Sequence, residues 1–158
     1  MDYTTLGRTG LKVSVAGLGC GGFSRLGLGT GQSADHAIGI IRLALDLGVN
    51  LIDTAAVYGT EEVVGAALRH VSRDSVVVCT KASKQAGGAA FSVDKVIQSL
   101  DASLRRLGLD HVDVFQLHAV PPAAYGHVRD VIAPALLAER DKGKFRFLGI
   151  TKTAPNDP

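Results

Sequence analysis

Four stretches of the chain are nearly continuous in apolar residues: 49–52, 76–80, 112–117 and 145–150. Runs of that length, rich in Val, Ile and Phe, read as parallel strands buried on both faces. Between them apolar residues recur three and four positions apart. Ala37, Ile40, Ile41, Ala44 and Leu45 form one such stripe, and Val93, Val96, Ile97, Leu100, Leu104 and Leu107 another. That spacing lines one face of a helix. The pattern predicts helices from a Ser33 or Asp35 cap to Gly48, from Glu61 to His70, and from a Ser92 cap to Gly108. A fourth is expected from Tyr125 to Lys142, interrupted at Pro134 and closed by Gly143. Glu61 and Glu62 in a first turn, with Arg69 and His70 in a last turn, suit the helix macrodipole. Ahead of these, residues 3–13 read as a hairpin around Gly7-Arg8-Thr9-Gly10, and Val13 to Leu18 as a first, shorter strand. A loose loop is expected from Phe23 to Gln32, a glycine-rich one over 85–90, and a polar tail over 151–158.

Strand and helix thus alternate after the hairpin, which predicts an α/β fold with a parallel sheet and right-handed crossovers. The expected organisation is one domain over residues 1–158: hairpin 3–13, βα units 13–150 and the tail. A hydrophobic share of 46% and a charged share of 20% are those of an ordinary globular protein. The net charge of +2, with Lys and Arg scattered, gives no electrostatic case for a nucleic acid or an anionic membrane as partner. No apolar run approaches the roughly 18 residues of a membrane span. The first residues show no basic-then-apolar leader, so a cytoplasmic location is expected. Cys20 and Cys79 lie far apart and fit no metal-ligand spacing. They are expected as buried free thiols, with no metal site.

Three consecutive strands run out on an ionisable residue: Asp53, Lys81 and His118. All carboxyl ends of a parallel sheet share one face, where barrels and open α/β sheets build their sites. Alternation along each strand groups Leu51 with Asp53, Val77 and Cys79 with Lys81, and Gln116 with His118. Tyr58 follows Asp53 on the same rim. Singly, each has a plainer use: a loop-stabilising Asp, a solvated Lys, a structural His, a packing Tyr. Their joint placement is what suggests chemistry. A phenol is a weak acid, with a pKa of about 10. An adjacent ammonium favours its anion, and a carboxylate holds the ammonium in place. The His can orient a substrate oxygen or help to deliver a proton. The result is a general acid aimed at an oxygen that gains negative charge. That suits carbonyl reduction, with the hydride drawn from a cofactor. A Schiff base on Lys81 is the competing use of the cluster. It needs a free amine, and Asp53 works against that. The spacing Gly17-x-Gly19-x-x-Gly22 matches a dinucleotide fingerprint only formally, because Gly22 leads into a loop instead of a helix.

These residues resemble the aldo-keto reductase family. TLGRTGLKVSVAGLGCGG is similar to that family's N-terminal hairpin and first strand, and GVNLIDTAAVYGTEEVVG to its signature around a catalytic Asp and Tyr. VVVCTKAS resembles the strand carrying the catalytic Lys, DVFQLHAV the one carrying the catalytic His, and DKGKFRFLGIT the fifth strand. The resemblance runs from about Tyr3 to Thr151. It implies a parallel (β/α) barrel of TIM type with an N-terminal β-hairpin plugging its bottom. It implies Tyr58 as general acid, Lys81 and Asp53 as the pair beside it, and His118 as orienter of the substrate oxygen. The implied cofactor is NADPH (NADP+), with NADH as the alternative, its nicotinamide end lying against Gly21, Gly22, Phe23 and Asp53. The implied substrate is a small carbonyl or sugar-like molecule. After the fifth strand the family often has Ser-Asn, which holds the carboxamide; here stand Thr151 and Lys152. Thr151 keeps a hydroxyl, whereas Lys152 has no acceptor.

A full barrel takes about 250 residues. The sequence therefore reads as a barrel truncated after strand 5, with two exposed strand edges open to self-association. Two functional expectations follow. One is an NADP(H)-dependent oxidoreductase interconverting a carbonyl and an alcohol. The other is a catalytically silent half-barrel acting as a fragment or interaction subunit.

Overall fold

In the computed structural model, which describes residues 1–82 and 91–152, strands β1 (Tyr3–Thr5) and β2 (Lys12–Ser14) pair antiparallel, with Tyr3 opposite Ser14. The glycine-rich loop expected over 85–90 and residues 153–158 of the expected tail lie outside the described residues. Gly7 and Gly10 turn the hairpin at φ of +51° and +74°, a backbone region costly to residues with a Cβ. Five parallel strands follow, each hydrogen-bonded to the next in chain order: β3 (Leu18–Gly19), β4 (Leu51–Asp53), β5 (Val77–Ala82), β6 (Val112–Val120) and β7 (Phe145–Lys152). Between them run α1 (Ala34–Asp46), α2 (Glu61–Leu68) and α3 (Val93–Leu107). The last crossover holds α4 (Tyr125–His127) and α5 (Ala133–Asp141), joined by a π-helical turn over Val128–Ile132. This is the α/β fold of a truncated (β/α) barrel with its N-terminal hairpin.

The two faces of the sheet bury different partners. On the outer face Ile52, Val78, Phe115 and Leu117 pack with the helix stripes through Ala37, Ile41, Val96, Leu100 and Leu107. Full burial of side chains this size is worth about 1.5–3 kcal/mol each. On the inner face Val77, Cys79 and Val114 meet Leu11 and Val13 of the hairpin, with Leu51 and Phe147 alongside. The hairpin therefore covers the inner face below the strand ends that carry the ionisable residues. Ser33 caps α1, its hydroxyl accepting the His36 N–H at 3.2 Å. Gly65 lets α2 lie against the end of α3: a Cβ there would stand 2.2 Å from the carbonyl oxygen of Leu107.

Several expected boundaries are corrected. The run Val13 to Leu18 is not one strand; its start belongs to β2, so the hairpin extends to Ser14 and the sheet begins at Leu18. Asn50 explains the break. Its side chain accepts the Ser14 N–H at 2.6 Å and donates to the Lys12 carbonyl at 3.0 Å, tying the hairpin to the start of β4. The loop after Phe23 forms two 3₁₀ turns within Arg25–Thr30, separated by a kink at Leu26 and Gly27, with Leu26 buried and Arg25, Leu26 and Gly27 at positive φ. Here Gly29 sits so close to the Phe23 carbonyl that a Cβ would be 2.1 Å from its oxygen. The helix from Glu61 stops at Leu68, and the one from Tyr125 is divided by the π turn just before Pro134, which has no N–H to continue an α ladder. Strands β5, β6 and β7 run farther than expected, so Lys81 and His118 sit inside strands, and Thr151 and Lys152 are strand, not tail. Among the described residues no helix is long and apolar enough to cross a membrane, and no group of three or more His, Cys, Asp or Glu could hold a metal ion.

Candidate active site

Lys81 is the centre of the cluster. Its side chain is 5% exposed, and an ammonium that deep requires partners. Nζ donates to both carboxylate oxygens of Asp53 at 2.7 Å and to the backbone carbonyl of Thr54 at 2.9 Å. An ammonium has three N–H donors, and these three acceptors take them all. No lone pair is left for a Schiff base. The pairing follows from register: Asp53 lies beside Cys79, and Lys81 is the next inward position of β5. Asp53 keeps 42% of its side-chain exposure, so the pair has one dry end and one wet end.

Tyr58 and His118 complete the group. The Lys81 Nζ stands 5.3 Å from the centroid of the Tyr58 ring. The Tyr58 and His118 rings meet edge to face, centroids 5.6 Å apart at 87°. On its other side the Tyr58 ring lies on Gly21, where a Cβ would fall 2.6 Å from a ring carbon. Tyr58 ends a single 3₁₀ turn, Ala56–Tyr58, released by Gly59 at φ +68°. His118 lies within an irregularity of β6 between Leu117 and Val120, in which the next residue, Ala119, takes φ +55°. The Thr151 hydroxyl accepts the Ala119 N–H at 2.8 Å and so fixes the backbone next to His118.

The other expected residues are more dispersed. Gly22 turns at φ +74° with nothing within 4 Å of a Cβ placed there, and Phe23 is 87% exposed. Neither is drawn into the Asp53–Lys81–Tyr58–His118 group. Cys20 and Cys79 are buried free thiols, each pushed up to about 12 by burial first and by the Asp53 charge second, with Lys81 opposing. Thiols in that state are poor nucleophiles. His127 is tied to the Phe91 carbonyl at 2.7 Å, away from the site.

Other residues of the site carry little sequence signal of the kind used above. Glu61, 1% exposed, accepts from the Thr80 hydroxyl and from Arg106 Nε, both at 2.6 Å. The Thr54 and Thr60 hydroxyls are 2.8 Å apart and fully buried. Gln116 lies beside Lys81 in register and spreads over Gly149. Its side-chain oxygen is buried with no hydrogen-bond partner among the described residues. Its sequence signal is the alternation that groups it with His118 in a strand that also carries Asp113.

The sequence profile described as the Aldo/keto reductase family matches residues 17–157. L-galactose dehydrogenase of Arabidopsis thaliana is 38% identical over 157 residues, covering 96% of this chain and 48% of that protein. Aldo-keto reductase YhdN of Bacillus subtilis is 32% identical over 164 residues, covering 96% and 47%. Among solved structures, the aldo-keto reductase AKR11C1 from Bacillus halodurans in its holo form superposes with a TM-score of 0.79 at 30% identity, over 99% of this chain and 52% of that one. The chain spans about half the length of the curated relatives it matches.

Proposed function

Because the chain belongs to the aldo-keto reductase family of oxidoreductases, we propose that it carries the proton-donating part of a site that interconverts a carbonyl and an alcohol, with Tyr58 as general acid. The observation that carries this is the Lys81 ammonium, saturated by Asp53 and Thr54 yet 5.3 Å from the Tyr58 ring. In the reducing direction the Tyr58 hydroxyl gives its proton to the carbonyl oxygen as that oxygen gains charge. The nearby ammonium stabilises the phenolate left behind, acting through space because none of its N–H groups is directed at Tyr58. Asp53 holds the ammonium in place. His118, edge-on to the phenol, orients the substrate oxygen. In the oxidising direction the same groups take the alcohol proton.

Family members generically use NADP(H), whose nicotinamide would supply the hydride. The residues present fit its carboxamide end. The Gln116 oxygen is an unused acceptor, the Thr151 hydroxyl keeps its own proton to donate, and Gly22 leaves its surroundings open. Gly21 and Phe23, after β3, and Asp53, at the end of β4, would meet the group from the other end of the strand order. NADH is the alternative cofactor. The similarity to L-galactose dehydrogenase supports a sugar-like alcohol or the matching carbonyl as substrate.

For the chain by itself a second reading is favoured by the sheet. Five parallel strands are described, Asp53 is open to solvent on one side, and the match covers about half of each relative. On that reading the 158 residues hold the acid without a full grip on the cofactor. They are then catalytically silent alone and act as a fragment or interaction subunit. Titration with NADPH, followed by nicotinamide fluorescence, separates the two. Micromolar binding, with turnover of a small aldehyde or aldose that Tyr58→Phe abolishes while binding persists, supports the enzyme. Unchanged turnover in Tyr58→Phe rejects the acid role, and absence of NADPH binding selects the silent reading.

A further inference from the structure

We propose that the buried hydroxyl pair Thr54–Thr60 is a positioning clasp that sets Tyr58 against Lys81, an inference that rests on Tyr58 being the acid. The segment between the two threonines is short and open to solvent at Val57 and Gly59. One 3₁₀ turn gives it little internal support. No hydrogen bond directs Lys81 toward Tyr58, since its three donors are already taken. Beyond the packing of the Tyr58 ring on Gly21 and His118, the spacing of phenol and ammonium therefore rests on the ends of the segment.

Those ends are buried and hydrogen-bonded. Thr54 and Thr60 are both 0% exposed, and their hydroxyls meet at 2.8 Å where water does not compete. Thr54 donates its N–H to the Cys79 carbonyl at 2.9 Å, and its own carbonyl accepts from Lys81. At the other end Glu61, next to Thr60, accepts from the hydroxyl of Thr80, the residue before Lys81, and from Arg106 of α3. Both ends of the segment are thus tied to β5 at the two residues just before Lys81, Cys79 and Thr80. The hydroxyl bond closes the ring between them. Without it the two anchors remain, but the segment gains freedom to shift its turn, and Tyr58 moves over Gly21 and His118.

The test is fluorine NMR on the full chain with 3-fluorotyrosine at its three tyrosines, Tyr3, Tyr58 and Tyr125. The Tyr58 signal is assigned by its loss in Tyr58→Phe, and the other two act as internal controls. Thr60→Val, which keeps the shape and removes the hydroxyl, is expected to move or split the Tyr58 signal and leave Tyr3 and Tyr125 in place. Thr60→Ser is expected to return the Tyr58 signal to its wild-type position. A Tyr58 signal unmoved in Thr60→Val, equal movement of all three signals, or failure of Ser to restore the position overturns the proposal. Should Thr60→Val not fold, Thr54→Val is read by the same rule. If neither valine variant folds, the pair is a folding element and the proposal is overturned. None of these readouts needs turnover. A Tyr58→Phe enzyme with full activity would therefore sink the acid role without touching the clasp, and an unmoved signal would sink the clasp alone.

Discussion

Replacing Glu61 by Ala removes the acceptor of three donor groups at a position 1% exposed. Thr80 Oγ1 and Arg106 Nε each lose a 2.6 Å hydrogen bond, and Arg106 Nη2 loses a 2.6 Å ion pair. The fully buried Thr80 hydroxyl is left unpaired, at a cost of about 1–3 kcal/mol. Arg106 is different. Its side chain is 35% exposed, so it can turn to water. The roughly 3–5 kcal/mol expected on breaking a fully buried pair is then not reached, and about 1 kcal/mol is a fair share. Truncation also leaves a void, worth about 1–2 kcal/mol. The expected loss is about 4 kcal/mol. In a domain of this size that corresponds to a fall in Tm of roughly 8–16 °C. Glu61→Gln keeps the volume and the Thr80 contact and should lose about half as much. Urea unfolding followed by circular dichroism measures both, and a double-mutant cycle with Arg106→Met isolates the pair. A Glu61→Ala loss below about 1 kcal/mol, or a coupling below about 0.5 kcal/mol, would refute the reasoning.

Alkaline stability should depend on the two thiols. Cys20 and Cys79 are raised to about 12 from an ordinary 9.0, so the folded chain holds these protons more tightly than the unfolded one. The resulting stability is complete below pH 9.0 and drains away as the pH climbs toward about 12, by up to about 1.4 kcal/mol per thiol per pH unit. A Tm series from pH 8 to about 10.5 should fall more steeply for wild type than for Cys20→Ala/Cys79→Ala, and parallel slopes would rule the thiols out. Gly65→Ala sets two effects against each other: better helix propensity, about 1 kcal/mol, and a Cβ 2.2 Å from the Leu107 carbonyl oxygen. A backbone atom yields little, so overpacking of about 1–3 kcal/mol or more should win. A variant as stable as wild type in urea would show that α2 shifts freely on α3.

Periodicity made the helices and the long strands legible, because burying one helix stripe or two sheet faces leaves a regular trace. Asp53, Lys81 and His118 were readable for a related reason: an ionisable residue at the close of an apolar run is conspicuous. What escaped was set by irregular contacts. Asn50 bends the chain between β2 and β3 through side-chain bonds to residues 12 and 14 that no repeat announces. Glu61 reads as a first-turn acid that suits the helix macrodipole, but nothing in the pattern announces its burial against Arg106, 45 residues later. The Thr54–Thr60 bond spans six residues across a turn and leaves no pattern at all. Thr151 suggested a ligand contact by position, while its hydroxyl oxygen also holds the backbone beside His118.

The strands stand in the sheet in the order in which they are synthesised. Each new strand finds its neighbour already in place, so no pairing has to wait for a distant part of the chain. The Asp53–Lys81 bond joins residues 28 apart. At a synthesis rate of about 5–20 residues per second, Lys81 follows Asp53 out of the ribosome within roughly 1–6 s. The charged pair thus needs no residue beyond Lys81 to find its partners, whereas the edge-to-face contact of Tyr58 needs the chain to reach His118.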